Sequence, residues 1–191
     1  NEQLNVLFPD RPVILSRIDG HAAIANQKAL DAAGVKPGDR MTGGEAEVKN
    51  GKLTGILIDN AIDLVSAKIP PQTKEQFRQT LKAAERNCFA VGLTTVDDCG
   101  LGFEAVEGIK AMQANGELKM RLYVMLSDDK ANYGYLLKTG KIKTDRLNVR
   151  GFKVYGDGAL GSRGACLLQP YSDKPGHSGF LLSKPEHFDS V

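Results

Sequence analysis

The amino-acid sequence predicts a mixed α/β fold, in which a β-rich region (residues 1–70) precedes an alternating region (residues 71–191). In the second region apolar, β-rich runs alternate with helical patterns, which is typical of parallel strands joined by right-handed crossovers. These runs contain few internal polar residues, as in strands covered on both faces. In the first region an Asn-Gly pair lies between two strand-like runs, which indicates a β-hairpin.

Turn and capping residues define the first region. Asn50-Gly51 supplies the two positions at which a tight hairpin needs positive φ. Gly34 stands where a helix C-terminal glycine belongs, and Asp59 is expected to cap a short helix. The expected elements are a strand at 12–15, a helix at 22–33, strands at 45–48 and 52–58, and a helix from 59 to 67.

The second region opens on a capping box, in which Thr73 is followed three residues later by Gln76. The expected elements are a helix from 73, a strand at 93–96, a helix at 104–114, a strand at 120–126, a helix at 131–137 and a strand at 149–155. Three such units fit part of a (β/α)₈ barrel or a small doubly wound sheet. Both place their chemistry at the carboxyl ends of the strands.

Composition excludes several classes of partner. The 25 basic and 23 acidic residues give a net charge of +2, so no basic surface for nucleic acid is expected. No apolar run approaches the roughly 20 residues that span a bilayer, so no membrane association is expected.

Cys88, Cys99 and Cys166 form no CxxC pair and are expected to be reduced, mostly buried thiols. The chain begins without Met or a signal region, and we expect it to be a piece of a longer protein, so its N-terminus does not indicate the compartment. A cytoplasmic location is our expectation for the longer protein.

Two charged motifs follow predicted strands. The run Arg17-Ile18-Asp19-Gly20-His21 fits a substrate-facing loop. The alternative is that Asp19 caps the next helix and His21 lies on the surface. Asp97 and Asp98 are adjacent, so their side chains point to opposite faces of the strand, and at most one faces the centre of a barrel. A helix cap or a loop ion pair is the alternative for these two acids.

Lys153 lies inside the predicted strand 149–155, which is otherwise apolar except for Arg150. Burial of a lysine is unfavourable unless it is paired, and desolvation favours the neutral amine, which can act as a nucleophile, a base or a carbamate acceptor. The alternative is a lysine whose stem packs while its amine reaches solvent or an acid.

Residues 156–161 read G-D-G-A-L-G and match the dinucleotide fingerprint GxGxxG. That fingerprint requires a helix to begin at the glycines and an acid after a second strand. Pro170 and Pro175 interrupt the sequence that follows, so a crossover helix is not expected. A dinucleotide-binding enzyme is therefore a disfavoured alternative.

These motifs occur together, and in the same order, in one family. The blocks are Pro9–Val13, Arg17–Ala22, Ala33–Val35, Gly92–Val96 with Asp98, Phe152–Arg163 and Pro170–Asp173. Nearly the whole chain thereby resembles the metal-dependent amidohydrolases of the N-substituted formamide deformylase-like group. The resemblance implies a TIM-type barrel, of which the strands at 93–98, 120–126 and 149–155 are the second to fourth, with residues 1–70 as an insertion.

The resemblance also implies a chemistry. Members hydrolyse C–N bonds of amides or formamides with water activated by one or two divalent metals, usually zinc. Their ligands are an HxH pair on the first strand, a lysine on the fourth that is often carbamylated, a histidine on each of the next two strands and a final aspartate. Only the lysine has a counterpart here, and we expect Lys153 to be a metal ligand and a catalytic residue.

Five further residues match family positions near the substrate or in a neighbouring loop, and we expect them to bind a small amide or formamide substrate: Asp19, His21, Asp98, Asp157 and Arg163. Asp97 is a departure, because many members have His or Gln there. With so few ligands the chain alone is expected to be inactive, to bind no metal tightly and, as an open barrel, to self-associate. The alternative is a degenerate member that binds a small ligand without hydrolysing it.

Overall fold

The computed structural model describes residues 1–191 and divides the chain into two compact units. The first unit comprises residues 1–70 and 155–191, and the second comprises residues 71–154. Each unit contains one four-stranded sheet. The fold class is therefore mixed α/β, as the sequence predicts.

The first unit is built on an antiparallel sheet of order β1-β2-β4-β3. Its elements are α1 (Glu2–Leu7), β1 (Ile14–Ser16), β2 (Ala22–Ala25), α2 (Gln27–Ala33), β3 (Gly44–Lys49), β4 (Lys52–Asp59), α3 (Ala61–Ser66), a 3-10 turn (Leu160–Ser162) and α7 (Pro185–Ser190). Leu30 and Leu57 are fully buried in its core, where α2 and α3 pack on the sheet.

The hairpin between β3 and β4 is confirmed. Asn50 and Gly51 have φ values of 53° and 73°, so both turn positions lie in the left-handed region that the Asn-Gly pair predicts. Gly34, with φ 72°, ends α2 as expected. Local signals of this kind depend on two or three residues and no distant partner, which is why they could be predicted.

The prediction of one helix over residues 22–33 is wrong in its first part. Residues Ala22–Ala25 form strand β2, which pairs with β1 and β4, and the helix begins after Asn26. The Asn26 side chain accepts a hydrogen bond from the Ala29 N–H and is the true N-cap. Alanine has the highest helix propensity, but intrinsic propensity is a weak preference, so pairing on both edges of the strand overrides it.

The second unit is built on a sheet of order β5-β6-β8-β7. Its elements are α4 (Lys74–Ala90), β5 (Thr95–Leu101), α5 (Phe103–Ala114), β6 (Arg121–Ser127), α6 (Lys130–Thr139), β7 (Ile142–Lys143) and β8 (Leu147–Lys153). Strands β5, β6 and β8 are parallel, as predicted from the alternation, and the short β7 is antiparallel to β8. The sheet is open and closes no barrel. No helix of the chain combines the length and apolar character that crossing a bilayer requires.

The two faces of the second sheet differ in what covers them. Val124, Leu126 and Val149 are fully buried in a core that also contains Val106 and Ile109 of α5. Side chains alternate along a strand, so Tyr123, Met125 and Ser127 of β6 lie on the opposite face. This opposite face is called the open face below.

Helix α4 begins with the predicted capping box. The Thr73 hydroxyl accepts from the Gln76 N–H, and the Gln76 side chain accepts from the Thr73 N–H. We expect Thr73→Ala to lower the free energy of unfolding by about 1 kcal/mol, because a cap is lost. The matched control is Thr80→Ala in the middle of the same helix, which should be neutral or slightly stabilising. Urea unfolding of both variants checks this, and equal effects would contradict it.

Candidate active-site residues

Lys153 is the last residue of β8, at the carboxyl edge of the parallel strands. It pairs in register with Ser127, the last residue of β6. Paired residues of neighbouring strands project from the same face, so the half-buried Lys153 lies on the open face. This is the edge at which parallel α/β sheets hold their reactive groups.

The two adjacent acids of β5 lie on different faces of the sheet. Asp97 pairs with Tyr123 and is exposed on the open face, which is also the face of Lys153. Asp98 pairs with the buried Val124 and is half-buried on the side of the helices. The sequence predicts that at most one of the two acids shares a face with the centre of a barrel. In this register the acid on the face of Lys153 is Asp97. The assignment of Asp98 to substrate binding stays a prediction.

Burial raises the pKa of Asp98, and a hydrogen bond from the Gly100 N–H opposes that shift. The folded state therefore holds the Asp98 proton more tightly than the unfolded state. This contribution to stability is fully present below pH about 3.8 and is lost as the pH rises through the raised pKa.

We therefore expect Asp98→Asn to raise the free energy of unfolding at pH 7 and to flatten its fall between pH 4 and pH 7. The substitution removes the charge that burial disfavours and keeps an oxygen for the Gly100 N–H. Asp97→Asn is the matched control on the exposed face and should change stability by no more than about 0.5 kcal/mol. Denaturant unfolding at several pH values measures both, and a loss of stability in Asp98→Asn at pH 7 would contradict the prediction.

The loop after β1 is organised by an ion pair. The Arg17 guanidinium donates two hydrogen bonds of 2.7 Å to the Asp19 carboxylate. These hydrogen bonds lower the pKa of Asp19 to about 2. Asp19 also accepts from the His21 N–H at 3.2 Å, which orders the turn that leads to His21. Both charges of the pair are solvent-exposed, so salt screens it and it contributes little stability.

His21 contacts a residue whose role the sequence does not reveal. Its Nδ1 lies 2.7 Å from Oδ1 of Asp59, at the end of β4. The Asp59 side chain is 1% exposed and the His21 side chain 25%. Asp59 was expected to cap α3. In the structure it has φ 47°, Asn60 occupies the cap position, and the carboxylate points to His21 instead.

Asp157 and Arg163 belong to the loop that runs from 156 to 164. Asp157 accepts a hydrogen bond of 2.9 Å from the Cys166 N–H, and Arg163 binds the Asp173 carboxylate through two hydrogen bonds. The Asp173 carboxylate raises the pKa of Arg163. Where the dinucleotide fingerprint needs a helix, the chain forms only the 3-10 turn Leu160–Ser162. The geometry that GxGxxG requires is therefore absent.

Within the first unit, the structure brings His21 close to the 156–164 loop. Asp59 lies between them: it binds His21, and its Oδ2 lies against the backbone of Gly158 and Gly164. No local sequence signal indicates that Asp59 belongs to this site, because its contacts lie 38 residues before it and about 100 residues after it. Asp98 and Lys153 lie in the second unit.

The side chains that could bind a metal do not come together in this structure. Nowhere in the structure do three or more His, Cys, Asp or Glu side chains cluster closely enough to hold an ion. Catalytic metal sites usually have three protein ligands. The three cysteines are all free thiols, but the expectation that most of them are buried is wrong, because Cys99 and Cys166 are exposed.

Comparison with known proteins extends over nearly the whole chain. The sequence model described as "Amidohydrolase family" matches residues 1–190. A Bacillus subtilis (strain 168) protein named as an amidohydrolase, YtcJ, is 33% identical over 190 residues, covering 96% of this chain and 36% of its own. The Arabidopsis thaliana protein LONG AFTER FAR-RED 3 is 30% identical over 197 residues, with 96% and 34% covered. The chain thus spans about a third of the length of these curated relatives.

Two solved structures resemble the fold. One is an uncharacterized metal-dependent hydrolase from Pyrococcus furiosus, with 28% identity, a TM-score of 0.66, and coverage of 99% of this chain and 38% of the other. The second is an uncharacterized metal-dependent hydrolase from Pyrococcus horikoshii OT3, with 24% identity, a TM-score of 0.68, and coverage of 98% and 37%.

Proposed function

The chain belongs to the amidohydrolase family, and from this membership we propose that the whole protein is a metal-dependent hydrolase of amide or formamide C–N bonds in small molecules. The observation that carries the proposal is the position of Lys153. A family match along residues 1–190 includes this lysine, which ends a parallel strand on the open face of its sheet.

The proposed fold of the whole protein is a TIM-type barrel. Three parallel strands with α5 and α6 in the crossovers support it, since this alternation is the repeating unit of such barrels. In this proposal β5, β6 and β8 are the second to fourth barrel strands, and the open face becomes the lumen. Strand β5 would then receive a neighbour at its free edge.

The proposed cofactor is a divalent metal ion, with zinc as our first expectation. The names of the two Pyrococcus hydrolases support a metal. The absence of a three-ligand cluster in this chain means that Lys153, carbamylated or not, needs ligands from elsewhere. We assign those ligands to parts of the whole protein outside residues 1–191, since the curated relatives are about three times as long.

The roles proposed for the remaining residues follow from what each can donate or accept. Asp19 and Arg163 already hold ionic partners, so they would order the loops that border the substrate. His21 would contact the substrate through its second ring nitrogen. Asp157 is a carboxylate that could accept a hydrogen bond from an amide N–H. Asp98 lies on the helix side of its sheet, opposite the face of Lys153, so a substrate role for it stays a prediction.

The test is hydrolysis by the whole protein. Purified protein would be analysed for bound metal and assayed with N-substituted formamides and simple amides, with released amine as the readout. We expect bound metal, and turnover that a chelator abolishes and zinc restores. Substrate binding without turnover or bound metal would overturn the proposal and establish the degenerate ligand-binding protein instead.

The isolated chain of 191 residues is expected to be inactive and to self-associate. The free edge of β5 and the open face of its sheet are surfaces that a barrel would cover. Sedimentation velocity measures this directly, and a monodisperse monomer at micromolar concentration would contradict the expectation.

A further inference from the structure

The contact between His21 and Asp59 has the geometry of an oriented histidine. The 2.7 Å distance from His21 Nδ1 to Asp59 Oδ1 is short and charge-assisted. An ionised carboxylate only accepts hydrogen bonds, so Nδ1 must carry the proton. Nε2 is then the ring nitrogen left to accept a hydrogen bond from a ligand. The His21 ring also packs nearly perpendicular to the Tyr155 ring, with 6.2 Å between centroids and an interplanar angle of 80°.

Asp59 is held in an unfavourable environment. Its Oδ2 is buried and has no hydrogen-bond partner, although a buried carboxylate oxygen without a donor is destabilising. Its backbone has φ 47°, in the left-handed region. A residue chosen only for stability would not combine these features, and such combinations are typical of functional sites.

Two glycines make this position possible. A Cβ atom on either Gly158 or Gly164 would lie 2.2 Å from Asp59 Oδ2. The backbone of the 156–164 loop therefore closes around the carboxylate and fixes its orientation. Because Oδ1 faces His21 and Oδ2 faces the loop, Asp59 links the two sequence motifs of this unit.

We propose that Asp59 is a positioning residue, which holds His21 as the Nδ1–H tautomer and so presents Nε2 as an acceptor to the substrate. The contact of Nε2 with substrate rests on the function proposed above, whereas the Nδ1–H tautomer rests only on the contact with Asp59. Asp59 acts only through His21 and has no contact with substrate in this inference.

The tautomer can be measured directly in the chain of 191 residues. Two-bond ¹H–¹⁵N correlation spectra distinguish Nδ1–H from Nε2–H, and loss of one ring pattern in His21→Gln assigns His21 among the three histidines. We expect Nδ1–H in the unmodified chain. An Nε2–H pattern there would overturn the inference whatever the whole protein hydrolyses.

Asp59→Gly is expected to release His21 from the Nδ1–H tautomer. The substitution removes the acceptor of the Nδ1 proton and suits the positive φ at this position. A neutral imidazole without that acceptor favours Nε2–H, so we expect the Nε2–H pattern for His21 in this variant. The control is Asp63→Asn, an exposed acid on α3, which should leave the His21 pattern unchanged. A folded Asp59→Gly that keeps Nδ1–H would contradict the inference.

Kinetics separate the inference from the proposed function. In the whole protein we expect Asp59→Gly and His21→Ala each to lower kcat/KM by about tenfold, with the double variant no worse than either. Additive losses would overturn positioning through His21. Absence of any hydrolysis, with the tautomer reversal observed, would overturn the proposed function and leave the inference intact.

Discussion

Replacing Lys153 by alanine in the whole protein is expected to reduce kcat/KM for an amide substrate by about a thousandfold or more, and to lower the bound metal in parallel. In the proposed site this lysine is a metal ligand, so its loss affects every turnover. A bound metal ion contributes several kcal/mol to such reactions, and each 1.4 kcal/mol is a factor of ten in rate.

The position of Lys153 makes this variant interpretable. The residue ends β8 and is only half-buried, so truncation to alanine should leave the core of Val124, Leu126 and Val149 unchanged. Lys143→Ala is the matched control, because it removes an exposed lysine from β7, the strand that pairs with β8. We expect Lys143→Ala to retain full activity and full metal content.

Two further measurements define what Lys153 supplies. Lys153→Arg keeps the positive charge but cannot form a carbamate, and we expect it to be as inactive as the alanine variant. Added formate or acetate should restore part of the activity of Lys153→Ala, because a small carboxylate can occupy the place of a carbamate. Full activity in Lys153→Arg would show that only charge is needed and would contradict a ligand role.

The sequence predicts the second unit better than the first for a physical reason. Parallel strands and their crossover helices depend on hydrophobic pattern over 10 to 20 residues, and the capping box at Thr73 depends on four. The strand Ala22–Ala25 depends instead on pairing with β4, which follows 27 residues later. Its composition favoured a helix, and only the distant partner decides the outcome.

The candidate site shows the same division. Lys153 stands out in the sequence because a lysine in a largely apolar strand is a local anomaly, and its role stays a prediction. The pairing of Asp59 with His21 could not be found, because it needs the register of β2 with β4 and the return of residues 158 and 164. Likewise, the sequence shows that Asp97 and Asp98 lie on opposite faces, but only the register with β6 decides which acid shares the face of Lys153.

Replacing Gly164 by alanine is expected to lower the free energy of unfolding by about 3 kcal/mol, which is large for the addition of one methyl group. The new Cβ would lie 2.2 Å from Asp59 Oδ2 and 3.2 Å from the Gly158 Cα. Neither neighbour can easily move. Asp59 is short and buried, and Gly158 donates its N–H to the Gly164 carbonyl at 3.3 Å. Gly164 does not have a positive φ, so the effect would report the contact rather than backbone strain.

The same loop offers a matched control for this prediction. Gly161 has open space around its Cβ position and an ordinary φ, so Gly161→Ala should change stability by no more than about 0.5 kcal/mol. Urea unfolding followed by circular dichroism compares the two variants. Similar, small effects at both glycines would mean that the loop does not close around Asp59.

A double-mutant cycle identifies the carboxylate as the cause. Asp59→Gly removes Oδ2 and also suits the positive φ at that position. In this background Gly164→Ala should cost less than about 1 kcal/mol, so the coupling energy should reach about 2 kcal/mol. An unchanged cost in the Asp59→Gly background would place the clash elsewhere, at the Gly158 backbone. A large coupling would mean that the 156–164 loop and the His21 loop are held together by one buried carboxylate, so that a change in either loop reaches the other through Asp59.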